Sequence, residues 1–556
     1  MGGSPAPNFR VLLALLLAVA CLGYVINLGN ASIWDANEAY YVETPREMIE
    51  SGDYVNPSFN YEPRLNKPVL SYWVVAGLYH LFGVSVGVQR IAIAAAALVM
   101  IGAMFLLARA ASPSPLAPLL AAAGLAANPR FFMFARRILI DMGLTMCMTL
   151  TLTCFAMSEA DPARRRRWLL AMYVSVGLGM LTKGPVAVVL PALIFISYLA
   201  WHRQLGRINT MMLPAGAAIV AAIVAPWYIA LYAQSGWTNI LSFFVGENLD
   251  RMTTVIGDQS RQFYFYLPVV LTDGLPWSLC LPGAIALWWR ERDSVTQTPH
   301  GRIRTLLLMW IVVFVGLFSA LQTKQDLYIF PIVGAVTVLA ADLIARTLEG
   351  AQRSGWLRGA LSVAALLLVL AGAGILWLFA QTTATYQVDG AQLAGLLFVL
   401  GGVAIAALLL RRRLPAAVLA TLAVTVAFCW TLSLRVLPDF ERYKPVVPLS
   451  RVFLERVRPG DVLVHYDVAL PSMVFYTRRH IDVLFHWEPF LATMRSGVPI
   501  LAVLPESRYQ ELLPEMGVAT CELARQPTSD IKLREVLAGQ PPPAVLLIST
   551  RCPPKR

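Results

Sequence analysis

The sequence predicts a polytopic α-helical membrane protein that ends in a soluble α/β domain. Of its 556 residues, 57% are hydrophobic and only 14% are charged, whereas a soluble globular chain carries about 25% charged residues. Apolar runs of about 20 residues recur along the chain, and each can cross a hydrocarbon core of about 30 Å. Because these runs continue to position 436, a signal peptide followed by one soluble domain is excluded.

The apolar runs predict about thirteen membrane spans in a transmembrane domain over residues 1–436. The runs at 115–128 and 168–182 are short for a span. The predicted spans lie near residues 11–29, 87–109, 115–128, 138–157, 168–182, 185–201, 212–233, 265–289, 305–321, 327–346, 359–381, 391–410 and 415–436.

Arginine clusters set the predicted orientation. Arg164–Arg167 and Arg411–Arg413 lie in short gaps between spans, which is typical of cytoplasmic loops. The net charge of +12 is therefore explained by topology, and nothing in the sequence resembles a nucleic-acid-binding stripe of basic and aromatic residues. Alternation of the spans places the loop 30–86 and the C-terminal tail on the opposite, periplasmic face of a bacterial inner membrane.

Arg130, Arg136 and Arg137 are the exception to this charge rule. Alternation places all three on the periplasmic side, where the positive-inside rule expects few cations. Basic side chains at that face indicate residues that bind an anion.

The loop 30–86 is too long for a simple connector and carries two amphipathic stretches. Glu38–Glu50 predicts one helix on the membrane surface, and Pro68–Phe82 predicts a second that contains Tyr72 and Trp73. Helices of this kind lie in the interface plane.

Residues 437–556 change character and predict a periplasmic α/β domain. Helix-like stretches such as Glu506–Met516 separate short apolar runs, and no glycine-rich phosphate loop is present in the sequence. Cys521 and Cys552 could pair in an oxidising compartment, but the sequence fixes no geometry and leaves both states open. The apolar runs are Val462–Val464, Val483–Phe485, Ile500–Val503 and Val545–Ile548.

Asp35 and Glu38 follow the first span directly. Two carboxylates three residues apart can share one helix face and act together chemically. They can equally form an N-terminal cap, with Asp35 accepting backbone N–H bonds and Glu38 closing a capping box. The pattern alone leaves both interpretations open.

Further polar residues join Asp35 at the outer ends of several spans. Asp141 begins a span on the same face by alternation, and Lys67, Lys183 and Lys324 lie at other outer ends. Each lysine alone is typical of a snorkelling or loop charge. Two carboxylates together with several cations instead predict one site, in which the cations hold a phosphate and the carboxylates handle a hydroxyl or a cation. Glu247 and Arg261 lie in the same predicted outer regions.

Several blocks of sequence resemble a known family. Asp35–Glu38, Glu43–Met48 and Lys67-Pro68 resemble the first outer loop of the dolichyl-phosphate-mannose protein mannosyltransferase-like family, and are nearest to bacterial aminoarabinose–lipid A transferases. Later blocks follow in the family's order, and 443–445 and 471–476 resemble it more loosely. The later blocks are Lys183-Gly184-Pro185, Gly246-Glu247-Asn248, Tyr264–Pro268, Leu275-Pro276-Trp277 and Lys324–Pro331.

The resemblance implies a GT-C glycosyltransferase fold and a polyprenyl-phosphate sugar donor. It implies that Asp35 is the principal catalytic acidic residue and that Asp141 is a second carboxylate in the same cavity. The acceptor it implies is a lipid A or lipopolysaccharide-type glycolipid, with another glycan or a protein as alternatives. The implied substrate-binding residues are Glu38, Tyr40, Arg46, Lys67, Lys183, Glu247, Arg261, Lys324 and Tyr328, of which Tyr40, Arg46, Lys67 and Lys324 line the donor-phosphate region.

The sequence departs from the aminoarabinose transferases at two metal-ligand positions. Asn66 stands where a glutamate is expected, and Gln259 lies where a histidine is expected. The resemblance therefore does not extend to a zinc site, and the sequence assigns no cofactor; a divalent metal stays open.

Other classes share the hydropathy. A lipid flippase or transporter should carry functional charges near the bilayer midplane, whereas the charges here gather at outer span ends. An assembly scaffold would not need the paired carboxylates, and a glycan polymerase or ligase would differ mainly in its acceptor.

Overall fold

The chain is predominantly helical in a computed structural model that describes residues 7–35, 38–137, 139–245, 261–295, 298–383, 386–528 and 531–552. Most of the helices form one bundle around a continuous apolar core. The helices of the bundle and its loops are α1 Pro7–Val25, α2 Ala39–Ser51, α3 Leu70–Phe82, α4 Val86–Ala111, α5 Ala117–Ala126, α6 Pro129–Phe134, α7 Leu139–Ala160, α8 Arg165–Lys183, α9 Val186–Trp201, α10 Leu213–Phe244, α11 Tyr266–Asp273, α12 Leu281–Val295, α13 Pro299–Ala320, α14 Val333–Leu348, α15 Gly355–Gln381, α16 Ala391–Leu410 and α17 Leu414–Thr431.

All thirteen predicted spans coincide with helices. Within the described residues, nine helices are long and apolar enough to cross a membrane, and ten if the bent pair Phe263–Asp273 and Trp277–Arg292 is one span. The remaining three positions hold the helices α5, α8 and α9, which are shorter or more polar. The chain is a multi-pass membrane protein, as predicted.

The alanine-rich helix α4 lies at the centre of the bundle. It packs against α5, α7, α13 and α14, because small side chains allow helix backbones to approach closely. Helix α15 lies at the edge and exposes apolar side chains such as Leu366, Leu370 and Trp377. Such a surface is suited to lipid, as expected for a span at the periphery.

The two predicted loop helices are present at Ala39–Ser51 and Leu70–Phe82. The second exposes Leu81 and Phe82, consistent with an interfacial helix. The first does not lie on a surface, because every residue from Tyr41 to Met48 is buried. It is covered by helix α3, by the hairpin Ser58–Pro63 and by the C-terminal domain, which a single-helix pattern does not reveal.

The C-terminal domain contains a five-stranded mixed sheet. Strands β1 Ser58–Phe59 and β2 Glu62–Pro63 form the loop hairpin, and the sheet has the order β4-β3-β5-β7-β6. The four predicted apolar runs are strands, and the edge strand β6 was missed because Glu522, Arg525 and Gln526 interrupt its apolar residues. The strands are β3 Val462–Tyr466, β4 Asp482–Leu484, β5 Ile500–Pro505, β6 Cys521–Pro527 and β7 Ala544–Ser549, and the helices are α18 Leu437–Phe440, α19 Val446–Arg456, α20 Ser472–Thr477, α21 Trp487–Met494, α22 Glu506–Leu512 and α23 Leu533–Leu537.

The domain joins the bundle at the end that carries Asp35. The last span continues as a helical run through Tyr443, beyond the expected boundary at 436. The Asn60 side chain pairs with the backbone of Ile481, at 2.8 and 2.9 Å. The loop 30–86 is thus held between the bundle and the α/β domain.

Candidate functional site

Asp35 and Asp141 lie at the same end of the helix bundle. The guanidinium of Arg136, which precedes helix α7, donates to the backbone carbonyls of Gly23 and Ile26 at 2.7 and 3.0 Å. These two carbonyls lie at the C-terminal end of helix α1, just before the loop that carries Asp35. Asp141 is in the first turn of helix α7, and the structure therefore brings the two carboxylates to one face.

The Asp35 carboxylate is partly buried beneath the C-terminal domain. Its Oδ1 accepts a hydrogen bond from the backbone N–H of Ser472 at 2.7 Å. Burial raises the pKa of Asp35, while the Ser472 bond and the nearby Lys444 ammonium lower it. A carboxylate with a raised pKa and a fixed orientation is suited to accepting a proton.

Asp141 forms an ion pair with a second predicted residue. Lys183 Nζ lies 2.5 Å from Asp141 Oδ1, because the last turn of helix α8 packs against the first turn of helix α7. Both side chains are half-buried. The two residues therefore form one unit, and Lys183 is not free to hold a substrate phosphate alone.

A polar cavity of about 770 Å³ opens at this end of the bundle. Its basic lining residues are Arg130, Arg261 and Lys324, and its acidic ones are Asp273 and Asp326. Arg130 pairs with both aspartates. Among the described residues, Lys324 and Arg261 have no carboxylate partner: Lys324 Nζ donates to the Leu321 carbonyl at 2.5 Å, and Arg261 stands over the Phe265 ring. The cavity can accommodate an anion at these two cations.

The structure separates the roles of the three outer arginines. Arg136 closes the end of helix α1, and Arg130 is neutralised by aspartates. Arg137 makes no hydrogen bond or ion pair within the described part of the chain, and its guanidinium lies 4.9 Å from the centre of the Trp34 ring. Burial and the neighbouring Arg130 lower its pKa. Of the three arginines, Arg137 is therefore the one available to bind an anion.

Two predicted binding residues are instead engaged inside the protein. Glu38 is fully buried and accepts from Arg90 at 2.7 and 2.9 Å, and it also accepts from the Trp34 N–H. Glu38 makes no capping bond to helix α2. Neither the capping role nor the chemical role beside Asp35 that the sequence suggested therefore accounts for its ion pair with Arg90. Arg46 is buried between Glu43 and Glu50, each at 2.5 Å, and its charge is already compensated there.

The other predicted residues are distributed around the same loops. Arg64 lies 3.8 Å above the Tyr40 ring, and the Tyr328 ring packs against Phe318 at 5.2 Å. Lys67 is half-buried in the loop 30–86. Glu247 and Gln259 lie outside the described residues.

At position 66, one of the two positions where the resemblance implies a zinc ligand, the chain does not offer one. Asn66 offers a neutral amide where the resemblance expects a carboxylate, and zinc prefers Cys, His and carboxylate ligands. Within the described ranges, no group of three or more His, Cys, Asp or Glu side chains could hold a metal ion.

The family model for dolichyl-phosphate-mannose-protein mannosyltransferases matches residues 8–241. The undecaprenyl phosphate-α-4-amino-4-deoxy-L-arabinose arabinosyl transferase of Pseudomonas paraeruginosa is 30% identical over 414 residues, covering 72% of this chain and 71% of the relative. Arabinosyl transferase 2 of Pseudomonas fluorescens is 28% identical, over 62% of this chain and 58% of its own length. The chain thus spans less than two thirds of the length of that relative.

The same fold occurs in a solved structure. ArnT from Cupriavidus metallidurans, crystallised with undecaprenyl phosphate, superposes with a TM-score of 0.79 at 21% identity, over 98% of this chain and 99% of that one. The likeness shows that the chain has the GT-C type of membrane glycosyltransferase fold. The chain belongs to the family of the undecaprenyl phosphate–aminoarabinose arabinosyl transferases.

Proposed function

We propose that this protein transfers a sugar from a polyprenyl-phosphate donor to an extracytoplasmic acceptor, with a lipid A-type glycolipid as the acceptor class. The observation that carries the proposal is the placement of Asp35 at the same end of the bundle as a cavity whose Lys324 and Arg261 pair with no carboxylate among the residues that the structure describes. The names of the relatives support undecaprenyl phosphate as the lipid and 4-amino-4-deoxy-L-arabinose as the sugar.

The cations stabilise the leaving group in the proposed reaction. As the bond between the anomeric carbon and the phosphate oxygen breaks, its electron pair and negative charge pass to the phosphate. Lys324 and Arg261 provide N–H donors for that charge, because an ammonium has three donors and Lys324 uses one on the Leu321 carbonyl. Fixed donors at developing charge lower the barrier.

Asp35 handles the acceptor. A hydroxyl of the acceptor forms the new bond to the anomeric carbon from the face opposite the phosphate, which inverts the anomeric configuration. Its proton passes to the Asp35 carboxylate, a general-base role that typically contributes 10²–10⁴-fold. If the acceptor is an ionised phosphate, Asp35 positions groups and takes no proton.

The charges at the helix ends support a periplasmic orientation of the site. Helix α7 has Asp141 in its first turn, at the cavity end, and is followed at its other end by Arg164–Arg167. Because basic loops favour the cytoplasm, the cavity faces the periplasm of a bacterial inner membrane.

Mass spectrometry of lipids from a deletion strain tests the proposal. We expect the envelope glycolipid to lose one sugar and the polyprenyl-phosphate sugar to accumulate. Wild-type protein should restore both, and Asp35→Asn should not. Asp467→Asn is the matched control, since Asp467 lies in the α/β domain and pairs with Arg508 at 2.6 Å. Unchanged lipids and glycans in the deletion strain would refute the proposal and favour transport or scaffolding.

A further inference from the structure

The loop that carries Asp35 is contacted by residues from the C-terminal part of the chain. At Ser32, the backbone N–H donates to Glu441 at 2.9 Å and the carbonyl accepts from Lys444 at 3.1 Å. At Trp34, the indole stacks on Phe440 with ring centres 5.6 Å apart, and Lys444 Nζ lies 4.0 Å from the ring centre. Glu441 and Lys444 pair with each other at 2.7 Å, so each fixes the other.

The next contacts continue the pattern to the carboxylate itself. The backbone N–H of Ile33 donates to the Tyr476 hydroxyl at 3.2 Å, and the backbone N–H of Ser472 donates to Asp35 at 2.7 Å. Four consecutive loop residues are thus each contacted by the C-terminal part. We call this contacting set the 440–476 clamp; its members are Phe440, Glu441, Lys444, Ser472 and Tyr476.

The bundle supports the opposite side of the same loop. The guanidinium of Arg90, in helix α4, donates to the carbonyls of Leu28, Ala31 and Ser32 at 2.7 to 2.9 Å. The loop therefore lies between a fixed guanidinium of the membrane bundle and the clamp. Arg90 contacts residues 28–32, and Glu38 and Arg137 contact Trp34. The contacts to Ile33 and to the Asp35 carboxylate come from the clamp.

We propose that the 440–476 clamp is a positioning element for the Asp35 carboxylate, which makes the α/β domain a working part of the active site. The proposal rests on the function assigned to Asp35 above. A general base must be held within a fraction of an ångström of its productive position, and residues 27–35 contain no regular helix or strand that could do this. The clamp supplies the missing rigidity.

The clamp also sets the charge environment of Asp35. Lys444 is buried and contributes a positive field, while Glu38, from the loop side, contributes a negative one. The remaining ionisable members, Glu441 and Tyr476, bind the loop backbone and do not contact the Asp35 carboxylate in the described structure. Removal of Lys444 therefore removes the cation that favours ionised Asp35, whereas removal of the Tyr476 hydroxyl only loosens the loop.

These two effects give variants with different signatures. Tyr476→Phe deletes one oxygen; Lys444→Met deletes a charge at nearly constant length, and Lys444→Arg restores it. Arg508→Met is the matched control, because it removes an exposed cation from the same domain. Backbone hydrogen exchange of residues 31–35 reports loop rigidity. Transfer from undecaprenyl phosphate–aminoarabinose to lipid A reports kcat, KM and the pH profile.

We expect both Tyr476→Phe and Lys444→Met to accelerate exchange at residues 31–35 and to lower kcat by roughly 10- to 100-fold with little change in KM. Only Lys444→Met should move the acid limb of the kcat profile to higher pH, and Lys444→Arg should return it. Arg508→Met should match the wild type.

Faster exchange with unchanged kcat, or a change confined to KM, would overturn the positioning role. If Lys444→Met does not fold, Tyr476→Phe decides alone, since loss of one hydroxyl leaves the packing intact. An inactive wild type would instead overturn the proposed function, and normal exchange at residues 31–35 in both variants would overturn the clamp independently of any activity.

Discussion

Replacement of Glu38 by glutamine removes the negative partner of a buried guanidinium. Arg90 is 3% exposed and Glu38 is 0% exposed, and their two charge-assisted contacts are 2.7 and 2.9 Å long. Breaking a buried ion pair from one side costs about 3–5 kcal/mol. Glutamine keeps one acceptor oxygen, and Arg90 keeps three backbone carbonyls, so we expect a loss of about 3 kcal/mol in Glu38→Gln.

Thermal unfolding of the purified protein in lipid nanodiscs measures this effect. Arg90→Met should cost more than Glu38→Gln, because it leaves buried Glu38 without its cation and also removes the donor to the carbonyls of Leu28, Ala31 and Ser32. Glu50→Gln is the control, since Glu50 is an exposed partner of Arg46 and exposed pairs contribute about 0–1 kcal/mol. A Glu38→Gln protein that melts like the wild type but binds donor weakly would refute this reasoning and make Glu38 a binding residue.

Three further predictions follow. Burial raises the pKa of Glu47 to about 7, so the folded state binds more protons than the unfolded state between about pH 4.3 and pH 7, and the wild type loses stability as the pH rises through this range. The Glu47→Gln protein should therefore melt at a higher temperature than the wild type at pH 8 and at the same temperature near pH 4. Equal melting temperatures at pH 8 would contradict this prediction. Cys521 and Cys552 are free thiols in the structure, and both donate to the Ser549 carbonyl, at 3.4 and 3.9 Å. In an oxidising compartment we expect them to form a disulfide that stabilises the fold by about 3–4 kcal/mol; alkylation of both thiols without reductant would exclude it. Arg137→Gln should raise the KM for donor or acceptor roughly 10- to 100-fold, which corresponds to the binding free energy of one charge-assisted hydrogen bond to a phosphate. The melting temperature should not change. An unchanged KM would show that Arg137 does not belong to the site.

The membrane fold was predictable because apolar runs report spans directly. Every predicted run coincides with a helix, including the short helices at Ala117–Ala126 and Val186–Trp201. The burial of Ala39–Ser51 was not predictable, because part of its cover comes from an element more than 400 residues away, Ser472–Thr477. Strand Cys521–Pro527 was missed because an edge strand with one wet face lacks a continuous apolar run.

The candidate site was predictable only as a set of residue types at one face. Alternation of the spans predicted Asp35 and Asp141 at one face, and the structure has the Asp35 loop and the first turn of helix α7 at the same end of the bundle. Sequence could not assign partners: Lys183 is committed to Asp141, and Arg46 is committed to neighbouring glutamates. The sequence also could not predict that the backbone N–H of Ser472 binds Asp35, because every residue except proline has a backbone N–H.

In the proposed reaction, the Asp35 carboxylate is the general base for transfer of the sugar from its lipid donor. Transfer of radiolabelled aminoarabinose from undecaprenyl phosphate by purified Asp35→Asn protein, compared with wild type and Asp467→Asn, tests it most directly. We predict that Asp35→Asn folds and melts normally and loses roughly 10²- to 10⁴-fold in rate, while Asp467→Asn keeps the wild-type rate. Wild-type turnover by folded Asp35→Asn would contradict the account.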